Sequence, residues 1–172
     1  MTLLIRHSFA LTAAVASVPA LSAELTLKLQ LPRMDIAEYH KPYVAAWIEK
    51  ASDQSFAGNV ALWYDVKKRN NGGAKWLKDM RSWWRKSGHD NPAVDGITGA
   101  TRSAGEHALN LLDSQAVTTL SPGQYEMVVE AAREDGGREV VRVPFEWPLR
   151  KAESAKAQGS GELGVVSIEA KP

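Results

Sequence analysis

Leu25, Leu27, Leu29 and Leu31 alternate with Thr26, Lys28 and Gln30. A period of two predicts a half-buried strand over 25–31. Pro32 and Pro42 bracket a polar connection, and a second strand is expected over 43–49, ending in the turn Ser52-Asp53-Gln54. A third is expected over 59–66, stopped by Asn70-Asn71-Gly72-Gly73. Towards the C-terminus, the turn Ser121-Pro122-Gly123 leads into a strand over 124–132. Asp135-Gly136-Gly137 closes a hairpin onto a Val-rich strand over 138–147. Residues 151–161, rich in Ala, Lys, Ser and Gly, read as a solvated loop before a last strand over 163–170.

One stretch carries the helical period. Trp76, Leu77, Met80, Trp83 and Trp84 recur at about 3.6 residues between charged positions, so a helix is expected over 75–86, ended by Gly88. Residues 89–106 read as a loop. The stretch 106–112 supports two readings. Ser103-Ala104-Gly105-Glu106 fits a capping box that would open a helix, whereas the alternation of His107, Leu109 and Leu111 fits a strand. About seven strands with one inserted helix predict a mainly β fold, an antiparallel β-sandwich, with the helix near residues 75–87.

The N-terminus adds a destination. Arg6 and His7 form a short basic region, the run 9–16 is apolar, Pro19 breaks it, and Leu21-Ser22-Ala23 ends in a small residue. These are the parts of a secretory signal peptide, with cleavage expected after Ala23. The apolar run is about half of the roughly 20 residues needed to span a bilayer. Residues 1–23 are therefore read as a leader and 24–172 as a single domain of the exported, periplasmic protein. The full chain has 21 basic and 20 acidic residues, and loss of Arg6 leaves them even. A neutral balance argues against a nucleic-acid partner, which needs a basic footprint. The chain has no cysteine, which excludes disulfides, thiol catalysis and iron–sulfur ligation by this chain.

The segment Asp95-Gly96-Ile97-Thr98-Gly99-Ala100-Thr101 stands apart. It resembles the covalent flavin attachment motif of bacterial FMN-binding electron-transport proteins, which runs Asp, two variable residues, Ser or Thr, Gly, Ala, then the acceptor. Asp95, Thr98, Gly99 and Ala100 match in order and Thr101 falls on the acceptor position. The resemblance implies FMN joined to Thr101 through a phosphoester by a flavin transferase that uses FAD and magnesium. A threonine hydroxyl is a poor nucleophile unless activated from outside, so the acceptor needs an exposed loop with little bulk beside it. Asp-Gly and Thr-Gly are also ordinary turn formers, and such a loop can simply join two elements.

A second resemblance covers most of the chain. Lys41-Pro42-Tyr43-Val44-Ala45-Ala46-Trp47-Ile48-Glu49, Val60-Ala61-Leu62-Trp63, the tryptophans from Trp76-Leu77 to Trp83-Trp84, and Gly123-Gln124-Tyr125 through Glu130-Ala131-Ala132-Arg133-Glu134 carry it. They resemble predicted periplasmic proteins of the domain of unknown function 2271. That resemblance implies an immunoglobulin- or fibronectin-like sandwich, a strand over 107–112, and a neighbourhood of flavin transferases and membrane proteins with PepSY-type domains. Leu112-Asp113-Ser114-Gln115 departs from that family, in which an aromatic and a turn glycine are common.

Other residues were weighed for chemistry. Adjacent Trp83 and Trp84 cannot share one helix face, so at least one indole is expected to be exposed. Trp84 is the candidate to stack on a flavin ring, against core packing as the plainer reading. Arg102 and Arg85 are candidates to contact the flavin phosphate, against solvated surface charge. His40, His89 and His107 show no ligand spacing. Ser121 has no nucleophile-elbow context. The reading is a periplasmic flavoprotein that carries electrons through FMN attached to Thr101, with a membrane-bound redox partner of PepSY type, rather than an enzyme with its own substrate. The alternative is an unmodified binding or assembly module.

Overall fold

The computed structural model describes residues 23–89 and 96–171. The expected leader, Ala23 excepted, and Asp95 of the motif lie outside the described residues. Nine strands follow in order: β1 Glu24–Leu31, β2 Tyr43–Lys50, β3 Phe56–Tyr64, β4 Thr98–Ala100, β5 Gly105–Asn110, β6 Gly123–Ala132, β7 Arg138–Trp147, β8 Glu153–Gln158 and β9 Val165–Lys171. They form two sheets, β5-β1-β9-β8 and β4-β3-β2-β6-β7. This is the expected β-sandwich.

The leucines of β1 explain the interior. Leu25, Leu27, Leu29 and Leu31 are all buried, and they meet Val44, Ala46 and Ile48 of β2 and Met127 and Val129 of β6 across the sandwich. Each such side chain contributes about 1.5–3 kcal/mol by leaving water. The five-stranded sheet is buried on its outer face as well. There Trp47, Leu62, Tyr64 and Val128 pack under Leu77, Met80 and Trp83 of the segment 74–88. β2 is therefore buried from Val44 to Glu49.

Three expectations are corrected. The helix expected over 75–86 is broken. A 3-10 helix spans Ala74–Asp79, Met80 leaves helical geometry at ψ 73°, one α turn spans Arg81–Trp83, and a π turn spans Trp84–Gly88. The break lets Leu77, Met80 and Trp83 all reach the sheet. The wide π turn lets Trp84 lean inward beside Trp83, with ring centroids 6.3 Å apart. Trp83 is fully buried and Trp84 partly so. A Cβ on Gly88 would lie 2.6 Å from the Trp83 ring, so only glycine closes this turn. Second, the loop expected over 151–161 contains β8, whose Ala155 and Ala157 turn inward while Ser154, Lys156 and Gln158 turn out. Alanine is too weak an apolar marker for that alternation to stand out. Third, the loop expected over 89–106 contains β4, which pairs with β3 in parallel, so the sandwich is not wholly antiparallel. The strand expected over 107–112 starts earlier and ends at Asn110, where a 3-10 turn, Leu111–Asp113, takes over.

Buried carboxylates pin the outer layer. Glu130 of β6, fully buried, accepts hydrogen bonds from the backbone of Ser82 (3.1 Å) and Trp83 (2.7 Å) and from Arg138 (2.6 Å). Glu49 of β2 accepts from Trp47 Nε1 and Arg142, each at 2.8 Å. Burial disfavours the Glu49 carboxylate, but these hydrogen bonds and the charges of Arg142 and Lys86 more than offset it and hold its pKa below the ordinary 4.5. A depressed carboxylate pKa adds stability above the unfolded value and loses it as pH falls through the folded one. Glu49→Gln is therefore expected to flatten the acid loss of stability below about pH 4.5, followed by urea denaturation as a function of pH. Glu130→Ala is expected to cost about 3–5 kcal/mol in urea denaturation, because it strands two backbone donors and one arginine.

Candidate functional site

The motif segment is a strand edge. In a parallel ladder, Leu62, Trp63 and Tyr64 of β3 face Thr98, Gly99 and Ala100 of β4. The Leu62 amide donates to the Ile97 carbonyl at 2.9 Å, and the Thr101 amide donates to the Tyr64 carbonyl at 3.2 Å. Thr101 is thus the last residue held by the ladder. Residues 101–104 then cross to the other sheet, where Gly105 opens β5 opposite Leu31 of β1. Short β4 and half-exposed β5 are the neighbouring edges of the sandwich, and the crossing joins them.

Around the crossing, the structure assembles a cluster on Trp63. The Arg102 guanidinium lies 4.1 Å from the centre of the Trp63 ring. The His107 ring meets the same indole edge-on, with centroids 5.6 Å apart at 74°. A carbonyl can only accept, so His107 donates through Nε2 to the Ser103 carbonyl, at 2.8 Å. Trp63 itself is only 2% exposed and belongs to the inner core. One buried indole thereby anchors a residue of the crossing and a residue of β5.

Thr101 and Arg102 are half-buried and Ala100 is exposed. Among the described residues the Thr101 hydroxyl meets no hydrogen-bond partner, and Arg102 has no carboxylate partner. A guanidinium stacked by its face keeps its N–H edges available to an anion. Gly99 adds no bulk, since a Cβ built on it would only touch Trp63 at 3.6 Å. These residues fit a phosphate ester on Thr101: small neighbours and, among the described residues, a hydroxyl without a partner and an adjacent cation without a carboxylate.

Of the sequence candidates, Thr98, Gly99, Ala100, Thr101 and Arg102 come together along β4 and the crossing. The acceptor segment is not the free loop expected of it, because the ladder fixes its backbone. Trp84 is not brought to this cluster. Its ring contacts are Trp83 and His89, and it packs with the outer layer that covers Leu62 and Tyr64. Thr98 and Ala100 register with those two residues, so the outer layer borders the motif from the side opposite Trp63. Trp63 and His107 were not foreseen as part of the site. No local pattern links residues 44 positions apart, and it is the packing of the two sheets that brings β3 and β5 together.

The two sheets and this edge define a β-sandwich with a small-residue acceptor-like segment at the crossing between its sheets. A family model described as "Predicted periplasmic protein (DUF2271)" matches residues 24–165, and the chain belongs to that family. Comparisons with curated proteins and with solved structures returned no match.

If Arg102 is held on Trp63, Arg102→Ala is expected to lower stability by about 1 kcal/mol in urea denaturation, with Arg102→Lys recovering part of it.

Proposed function

We propose that this protein is a periplasmic electron carrier with FMN bonded to Thr101. The observation that supports it most is the position of the motif. Thr101 ends the β4 ladder at the sheet crossing, with its hydroxyl unengaged among the described residues and Arg102 beside it without a carboxylate partner. Attachment by a flavin transferase balances as a phosphoryl transfer. The Thr101 oxygen bonds to the FMN phosphorus of FAD, the pyrophosphate P–O bond breaks, AMP leaves, and the hydroxyl proton passes to a base of the transferase. The acceptor chain needs no catalytic residue for this step.

Arg102 would offer its N–H edges to the phosphate oxygens, which stay anionic in the ester. Bound FMN would supply the redox chemistry, and the protein its position and electrostatic surroundings. Covalent attachment suits an exported carrier, because a released cofactor would be diluted and lost. The partners in this reading are the FAD- and magnesium-dependent transferase and a membrane-bound donor or acceptor of PepSY type.

Intact mass tests it. The protein is purified from the periplasm of a host that also makes a flavin transferase, beside Thr101→Ala. An increase of about 438 Da, one FMN less water, is expected in the first and not in the second. No increase in either, with the transferase active on another acceptor, would overturn the reading and leave the binding-module alternative.

A further inference from the structure

A groove of about 410 Å³ opens beside the motif, between the β4 edge and β5. Its volume falls in the range of small-molecule sites. Val60 of β3, Ile97 before β4 and Leu109 of β5 line it as apolar walls, and Asn110, Asp113, Ser114 and Gln115 line it as polar ones. Gly96 forms part of its wall with φ +85°, and nothing lies within 4 Å of where a Cβ would be. The Ser114 hydroxyl oxygen is buried and has no hydrogen-bond partner among the described residues. It starts the short helix Gln115–Thr118 without capping it. Buried hydroxyls are satisfied in nearly all folded proteins, so this one points to a missing polar partner.

We propose that this groove seats the isoalloxazine ring of the flavin; this rests on the reading of Thr101 as the acceptor. The chemistry of the ring matches the two kinds of wall. Its dimethylbenzene portion is apolar, and its pyrimidine edge carries carbonyl acceptors and one N–H donor. Val60, Ile97 and Leu109 suit the first. The Ser114 hydroxyl, buried in the free protein, would reach a ring carbonyl by turning about χ1, and the Asn110 and Gln115 amides flank it.

The placement also fits a tether. β3 and β4 run in parallel, so Ile97 lies opposite the middle of β3 while Thr101 lies beyond its end. Four extended residues separate them, about 13 Å. The Thr101 side chain, an extended ribityl phosphate and the ring itself together cover that distance, with the ring reaching back into the groove. The Trp63 cluster stands between, where Arg102 meets the phosphate end.

A tethered ring feels an effective concentration in the millimolar range, so its seat needs only weak intrinsic affinity. The test uses unmodified protein from a host without a flavin transferase. It is labelled with ¹⁵N and titrated with FMN to about 5 mM, at the concentration scale a tether would supply. Saturable shifts are expected at the amides of Ile97, Ala108, Leu109, Ser114 and Gln115. Ala108→Trp, at an exposed position on the groove, is expected to weaken binding at least tenfold while keeping the native spectrum. Ser114→Ala is expected to weaken it several-fold. Absence of saturable shifts, shifts centred elsewhere, or full affinity in a folded Ala108→Trp protein would overturn the seat. The attachment is decided separately by intact mass. FMN binding in the groove with Thr101 never modified would keep the seat and remove the tether. Modified Thr101 with an indifferent groove would do the reverse.

Discussion

The buried carboxylate of Glu130 fixes the middle of the outer layer to the sheet. It faces the backbone donors of Ser82 and Trp83 at the only α-helical turn of the described segment 74–88. Without that acceptor these donors would be buried against an apolar sheet with no partner. The outer face of the five-stranded sheet presents Trp47, Leu62 and Val128 and needs a cover, and the segment 74–88 supplies it. This layer is also a connection. Parallel neighbours cannot be joined by a tight turn and need a crossover of a dozen or more residues. β3 and β4 are parallel, and the covering segment lies between them in the chain. Covering the sheet and returning the chain to its edge are one event. The position of Thr101 follows from it.

The return strand is three residues long, a length that limits the exposed edge offered to other chains. Its ladder continues by one hydrogen bond to Thr101, after which the chain leaves for the other sheet. Trp63 stabilises that departure. Its indole belongs to the inner core, yet Arg102 covers one part of it and His107 another. The crossing is thereby tied to both sheets by one side chain. A modifying enzyme would meet a presented backbone and not a flexible loop, and its selectivity would rest on the small residues Gly99 and Ala100.

Much of this was legible in the chain. The leucines of β1 alternate cleanly because one face is core and the other is solvent. The Asp135-Gly136-Gly137 turn marks the β6–β7 hairpin, and the family resemblance resolved β5. Other parts were hidden for physical reasons. The helical period of 75–86 is real, yet the Met80 break and the π turn arise from packing two adjacent indoles on one sheet, which periodicity does not encode. β8 escaped because its inward residues are alanines. β4 escaped because it is three residues long and two of them, Gly99 and Ala100, are poor strand formers, and its pairing is set by a crossover more than thirty residues long. At the site, the motif singled out Thr101 and its small neighbours but not their surroundings. Trp63 and His107 enter through tertiary pairing, and Trp84 leaves because the π turn directs it to the outer layer.

The site lies at an edge, and that decides what kind of cofactor protein the proposal describes. A fully enclosed pocket holds a ring by burying most of its surface, and it also hides the ring from a second protein. The groove between β4 and β5 is bounded by two short edges and open to solvent, so it can shelter only part of a ring. For a soluble cofactor such a seat would be too weak to keep it. A covalent tether changes the requirement, because the second contact becomes intramolecular and needs only modest affinity. The part left uncovered is then available to a redox partner. Weak seating and covalent attachment therefore belong together in an exported carrier that must present its cofactor to membrane proteins.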